Sequence, residues 1–126
     1  TLVHVENFKQ LTGHPVFGSL WEQIVLSNLK AHFPLAQFFY YRTSAGAEMD
    51  FVMKLKNIVF AIECKASLSP TLSKGTYNAI EDINPIHSFI AAPVQKGWPM
   101  KKELDVVALD ELIIKIQSLV EKKKEG

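Results

Sequence analysis

The sequence contains a single cysteine, Cys64, among its 126 residues. One thiol can form neither an intramolecular disulfide nor the thiolate cluster of a structural zinc site. No apolar run approaches the roughly 20 residues that a membrane-spanning helix needs, and the polar start has no signal-peptide pattern. We therefore expect a soluble cytoplasmic protein with no membrane partner.

Net charge is also nearly absent, with 14 Lys and Arg against 13 Asp and Glu and a formal net charge of +1. This balance argues against tight nonspecific binding of duplex nucleic acid by this chain alone, although it leaves room for a local basic patch. The sequence has no Gly-x-x-x-x-Gly-Lys-Ser/Thr loop, so we expect no ATP binding by that mechanism. The missing initiator methionine indicates a piece of a longer protein.

The hydrophobic content of 48% over 126 residues is enough for one domain with a real core. We predict an N-terminal arm at residues 1–17, the remnant of a longer chain, and a single domain at 18–126. Apolar periodicity and breakers predict helices at 20–32, at 71–83 and after an Asp110 cap, strands at 37–42, 48–55, 58–66, 87–92 and 104–109, a loop at 93–102, and a solvated tail at 121–126. This order predicts the α/β class, with a mixed sheet flanked by helices.

A predicted β-hairpin in the middle of the chain organises the rest. Along both predicted strands every second residue belongs to one apolar set, as expected for strands. This set forms one face and consists of Met49, Phe51, Met53, Leu55, Ile58, Phe60, Ile62 and Cys64. With a tight turn at residues 56–57, the register sets Asp50 opposite Glu63 and Glu48 opposite Lys65. Like charges so placed destabilise a sheet by roughly 0.2 to 1 kcal/mol, so we expect a divalent cation or Lys65 to compensate.

Glu22 on the first helix joins Asp50, Glu63 and Lys65 in a set of three carboxylates and one ammonium. Glu63 and Lys65 are two apart on a strand, so they project from the same face. Hard oxygen ligands suit Mg²⁺ or Mn²⁺, and such an ion together with Lys65 could assist hydrolysis of a phosphodiester. The alternative is an ordinary solvated salt-bridge patch.

Glu22 has a second interpretation. The segment from Ser19 to Glu22 matches the capping-box pattern, in which an N-cap serine and a glutamate at the third position satisfy each other's backbone amides. A carboxylate at a helix start can also face a neighbouring sheet. Both roles therefore stay open for Glu22.

The same residues resemble a known superfamily. Asp50, followed by Glu63-x-Lys65 on the adjacent strand and preceded by Glu22 on a helix, is similar to the motif of the PD-(D/E)xK nucleases, with Met49 in place of the motif's proline. The resemblance implies a restriction-endonuclease-like αβββαβ core.

A longer match covers roughly residues 15 to 110. Its segments are Gly18-x-Leu20-Trp21-Glu22-x-x-Val25, Tyr41-Arg42-Thr43, Gly46-x-Glu48-x-Asp50-Phe51-Val52 and Ile62-Glu63-x-Lys65-Ala66-Ser67. They resemble the domain of unknown function found C-terminal to AAA+-type ATPase domains in many bacterial and archaeal proteins. The resemblance implies an N-terminal ATPase partner domain that is absent from this chain.

Carried over residue by residue, the resemblance implies Asp50 and Glu63 as ligands of Mg²⁺ or Mn²⁺, Lys65 as the catalytic lysine, and Glu22 as the helix carboxylate of the catalytic set. Three hypotheses stay open. The domain is a metal-dependent nuclease acting on DNA under control of the ATPase, a catalytically silent binding or regulatory module, or an assembly module. In the last case its apolar arm packs on the ATPase, and the isolated domain is expected to form a homo-oligomer.

Overall fold

The computed structural model describes residues 15–125 of the chain. Residues 1–14 of the predicted arm lie outside this part. The described helices are α1 (Pro15–His32), α2 (Lys74–Ile83) and α3 (Leu109–Glu125), and the strands are β1 (Gln37–Arg42), β2 (Glu48–Leu55), β3 (Ile58–Cys64), β4 (His87–Ala91), β5 (Trp98–Lys101) and β6 (Leu104–Val107). None of these helices combines the length and the apolar character needed to cross a lipid bilayer.

The six strands form one mixed sheet in the order β1-β2-β3-β4-β6-β5. The first three strands are an antiparallel meander. β4 runs parallel to β3, and β6 runs parallel to β4, while β5 is antiparallel to β6. Because parallel neighbours need a crossover connection, α2 links β3 to β4. The predicted α/β class and the order of the first six elements are confirmed.

Two helical layers enclose the sheet. α1 and α3 cover one face over a core that includes Trp21, Val25, Leu29, Phe51, Phe60, Phe89, Leu112 and Ile116. α2 covers the other face over smaller clusters that contain Ala47, Met49, Ala61 and Ala79, and Ile90, Ala92, Leu104 and Val106. Each fully buried large apolar side chain contributes about 1.5 to 3 kcal/mol, so the α1 and α3 face supplies most of the hydrophobic stabilisation.

The start of α1 differs from the prediction. The helix begins at Pro15, before the predicted start at Leu20. Proline is favoured in the first turn, because the N–H that it lacks would have no partner there. Ser19 is therefore inside the helix, and the predicted capping box between Ser19 and Glu22 is wrong.

The start of α3 also differs. The helix begins at Leu109, so Asp110 lies in its first turn and is not the N-cap. Glu111 supplies the capping contact instead, because its Oε1 accepts hydrogen bonds from the backbone amides of Ala108 at 2.9 Å and Gly97 at 2.8 Å. This is the glutamate half of a capping box, and it ties the helix to the segment before β5.

Two further predictions near the C-terminal end are wrong. Residues 98–101 form β5 where a loop was predicted, and α3 continues to Glu125 through the predicted tail. β5 approaches β6 closely, since a Cβ added at Gly97 would overlap the backbone carbonyl of Val106.

A β-bulge interrupts β2 beside Asp50. In the β1–β2 ladder Phe39 lies opposite Val52, but Tyr41 lies opposite Met49. β2 therefore has one more residue than β1 across this stretch, and the extra residue falls next to Asp50. A bulge of this kind reverses the alternation of side chains and re-aims those beside it.

The bulge changes which layer Met49 joins. Met49 packs with Ala61 and Ala79 under α2, whereas Phe51 and Met53 pack under α1. The predicted apolar face is confirmed for Phe51 and Met53 but is wrong at Met49, because the alternation shifts by one residue between Met49 and Phe51.

Candidate functional site

The β2–β3 hairpin has the predicted register. It closes at residues 56–57 with Leu55 opposite Ile58, and the ladder continues to Phe51 opposite Ile62. Beyond that pair the two strands are joined through side chains. This end of the hairpin carries the predicted site residues.

Asp50 and Glu63 interlock at the end of the ladder. The backbone amide of Asp50 donates to Glu63 Oε1 at 3.0 Å, and the amide of Cys64 donates to Asp50 Oδ2 at 2.8 Å. Each carboxylate therefore satisfies an amide on or beside the opposing strand. The structure places the two carboxylates side by side, as the register predicts.

Glu63 is buried, with 6% of its surface exposed. Its Oε2 lies 3.5 Å from Lys65 Nζ and 3.5 Å from Thr76 Oγ1 in the first turn of α2. Burial raises the pKa of Glu63 to about 7, and the charge of Asp50 adds to the increase, while the Asp50 amide bond and Lys65 oppose it. Glu63 is thus held in a low-dielectric position where its charge is costly without a nearby cation.

Glu22 reaches the same region from α1, on the other face of the sheet. Partial burial raises its pKa, the charge of Asp50 raises it further, and Arg42 at the end of β1 lowers it. Burial raises the pKa of the Cys64 thiol well above its usual value, and the charges of Asp50, Glu22 and Glu63 add to the increase. Asp50 therefore lies within electrostatic range of both Glu22 and Glu63.

The predicted pairing of Glu48 with Lys65 is wrong. The β2–β3 ladder ends before these positions, and Glu48 lies opposite Arg42 on β1. The backbone amide of Lys65 instead donates to the Ala91 carbonyl at 3.0 Å. The physical reason is the bulge, together with the separation of β2 from β3 at this end.

Thr76 is a site residue that the sequence analysis missed. Ser73 caps α2 by accepting a hydrogen bond from the Thr76 amide at 3.2 Å, and this fixes the Thr76 hydroxyl beside Glu63. The Ser-x-x-Thr spacing before an apolar stripe was the available signal. Next to Thr76, a Cβ added at Gly75 would overlap the Gly46 carbonyl, so the β1–β2 turn packs directly on the start of α2.

The donor set fits a hydrated magnesium or manganese ion better than a fully protein-ligated metal. The two amide bonds use one oxygen each of Asp50 and Glu63, which leaves Asp50 Oδ1 and Glu63 Oε2 outside those bonds. Mg²⁺ commonly takes one or two carboxylates and keeps several waters. Within residues 15–125, no group of three His, Cys, Asp or Glu side chains has an arrangement that could hold a metal ion.

These features define an α/β domain with a carboxylate cluster where β2 and β3 separate. The family model of the domain of unknown function DUF4143 matches residues 17–112, and the chain belongs to this family. The predicted resemblance to a domain of unknown function is therefore confirmed.

Two curated relatives are uncharacterized proteins of Mycobacterium bovis and Mycobacterium tuberculosis. Each is 25% identical to this chain over 112 residues, which are 89% of this chain and 25% of the relative. The chain thus spans about a quarter of the length of the curated relatives it matches. No solved structure matches it significantly.

Proposed function

We propose that this domain is a metal-dependent nuclease-like domain that hydrolyses phosphodiester bonds and works beside an AAA+-type ATPase domain in a longer cytoplasmic protein. The observation that carries the proposal is the interlocked pair of Asp50 and Glu63, with Lys65 Nζ 3.5 Å from Glu63 Oε2. These are the positions through which the sequence resembles the PD-(D/E)xK nucleases of restriction-endonuclease-like fold.

Each residue has a distinct role in this proposal. Asp50 and Glu63 would hold Mg²⁺ or Mn²⁺, which when bound would supply Lewis-acid stabilisation of charge on the phosphodiester. The Lys65 ammonium lies beside the Glu63 carboxylate and would contact a phosphate oxygen. Because Glu63 is buried, its attraction for a cation is screened less than it would be in water. Glu22 would help to orient a water through its carboxylate.

The partner domain is proposed from size and charge. The chain spans 25% of the curated relatives' length, so those proteins have room for a further domain. A net charge of +1 gives this domain little general attraction for nucleic acid. A partner domain would therefore have to supply much of the affinity for the substrate. The free thiol of Cys64 suits a reducing cytoplasm.

Calorimetry with Mn²⁺ and Mg²⁺ tests the site on the complete 126-residue chain. We expect millimolar or tighter binding in the wild type, loss of binding in Asp50→Asn and Glu63→Gln, and unchanged binding in Glu48→Gln, a control carboxylate on the same strand. In Mn²⁺ the wild type and Glu48→Gln should nick plasmid DNA, whereas Asp50→Asn and Glu63→Gln should not. Equal binding in all four proteins would refute the site.

A second candidate is a catalytically silent binding or regulatory module. The observation that favours it is that the cluster is already well bonded, since both carboxylates accept backbone amides and Glu63 also contacts Lys65. In that case Asp50→Asn would destabilise the metal-free fold while neither metal bound to the wild type. Unfolding in urea, measured beside the calorimetry, separates the two functions.

The third hypothesis, assembly through the apolar arm, concerns residues outside the described part of the chain. It stays a prediction. Sedimentation equilibrium of the complete chain tests it, and a monomer at high concentration would count against a homo-oligomer.

A further inference from the structure

A groove lies between α1 and β1, on the face of the sheet that α1 covers. Along α1, Glu22, Leu26 and Lys30 recur at four-residue spacing and so share one face of the helix. Along β1, alternate residues share a face. The groove has a volume of about 180 Å³, and its lining includes Leu26, Lys30, Phe38, Phe39, Tyr40 and Phe51.

Two exposed cations lie on this side of the sheet. Lys30 lines the groove. Arg42 lies two residues beyond Tyr40 on β1, and it acts electrostatically on Glu22. From Lys30 to Glu22 the helix rises roughly 12 Å at about 1.5 Å per residue. That length matches roughly four stacked bases at the ~3.4 Å rise of a nucleic-acid strand.

The groove presents an aromatic ring to solvent. Tyr40 is 71% exposed. The centroids of the Tyr40 and Phe51 rings are 6.4 Å apart. Phe51 is buried, so it contacts Tyr40 from the side of the core. An exposed aromatic ring near two cations is a feature with which proteins bind single strands, because every base can stack on a ring while Lys and Arg follow the phosphates.

We infer that this groove binds single-stranded nucleic acid, with bases stacked on Tyr40 and phosphates beside Lys30 and Arg42, and directs the strand toward Asp50 and Glu63. The inference deepens the proposed function and rests on it, since it names the form of the substrate. In a duplex each base is stacked on its neighbours, which covers the base faces that would stack on Tyr40, so the groove selects the single strand over the duplex.

Fluorescence anisotropy in EDTA tests the inference without hydrolysis. The probe is a fluorescein-labelled 12-mer of thymidine, alone or annealed to its complement, with the complete chain. We expect tighter binding of the single strand and a loss of roughly five- to hundredfold in Tyr40→Ala, from the measured worth of a stacked base. Tyr40→Phe keeps the ring and should bind like the wild type.

Matched controls lie on the opposite edge of the sheet. Trp98→Ala removes an aromatic side chain that is 39% exposed on β5 and should leave binding within twofold. Lys30→Gln should lower the slope of log K against log salt by about 0.7, the value for one phosphate contact of a single strand, whereas Lys102→Gln should leave the slope unchanged. Equal losses in Tyr40→Ala and Trp98→Ala, or equal affinity for the duplex, would overturn the inference.

Cleavage in Mn²⁺ separates this inference from the proposed function. If the oligonucleotide binds through Tyr40 but is never cut, the groove stands and the hydrolysis proposal fails. If it is cut and Tyr40→Ala has the wild-type kcat/KM, the hydrolysis proposal stands and the groove is refuted. With both correct, Glu63→Gln binds the strand but does not cut it.

Discussion

Replacing Glu63 by glutamine should stabilise the metal-free domain at pH 8 and leave it almost unchanged at pH 5. Glutamine keeps an oxygen to accept the hydrogen bond from the Asp50 amide, now 3.0 Å from Glu63 Oε1, but it carries no charge. Burial and the neighbouring Asp50 raise the pKa of Glu63 from 4.5 to about 7. Ionising this side chain therefore costs the folded state free energy.

The sign and size follow from linkage. A group whose pKa is higher in the folded state binds its proton more tightly there, so its stabilising contribution is complete below pH 4.5 and is lost as the pH rises through about 7. The difference between these two pKa values corresponds to about 3 kcal/mol. Glu63→Gln avoids this loss, and its advantage over the wild type should grow across the same interval.

Urea unfolding at pH 5, 6, 7 and 8, followed by tryptophan fluorescence, to which the buried Trp21 contributes, measures the effect. Glu81→Gln, which alters an exposed carboxylate on α2, controls for the general removal of negative charge and should show little pH dependence. A constant difference between Glu63→Gln and the wild type at all four pH values would refute the argument. So would a glutamine variant less stable than the wild type at pH 8.

Three other substitutions or reactions test the fold. Gly97→Ala should lower the free energy of unfolding by about 2 kcal/mol or more, because its Cβ would overlap the Val106 carbonyl; an unchanged melting temperature would contradict this. Trp21→Phe should cost about 0.5 to 1.5 kcal/mol in urea unfolding, because it removes the 2.9 Å bond from Trp21 Nε1 to the Ala91 carbonyl, which keeps its bond from the Lys65 amide, and a neutral effect would argue against the Trp21 bond. Burial raises the pKa of the Cys64 thiol, so iodoacetamide at pH 8 should modify it slowly in the native state and quickly in urea; equal rates would disprove the burial argument.

The predictable parts of the fold were those with local signals. The apolar stripe of α1 and the alternation of β2 and β3 can each be detected within one short segment of the sequence. The turn at 56–57 then determines the register that brings Asp50 beside Glu63. β5 had no such signal, because Pro99 inside a short segment indicates a loop. Proline is tolerated there because β5 is an edge strand, and its formation depends on β6.

The unpredicted parts of the site depend on comparisons between separate segments. The bulge beside Asp50 exists because β2 has one residue more than β1 needs, and neither strand alone shows the mismatch. The contact of Thr76 with Glu63 depends on where α2 crosses the sheet. The capping interpretation of Glu22 followed from a helix start predicted at Leu20, whereas the helix begins at Pro15.

The bulge restricts how this protein can change over time. Deleting one residue of β2 near Asp50 would restore regular pairing with β1 and keep Met49 opposite Tyr41, but it would also shift the residues before the deletion by one position along β3. Asp50 would lose its alignment with Cys64 in the same event. Insertions and deletions in this strand should therefore be selected against. Sequence change around the cluster should proceed by substitution alone.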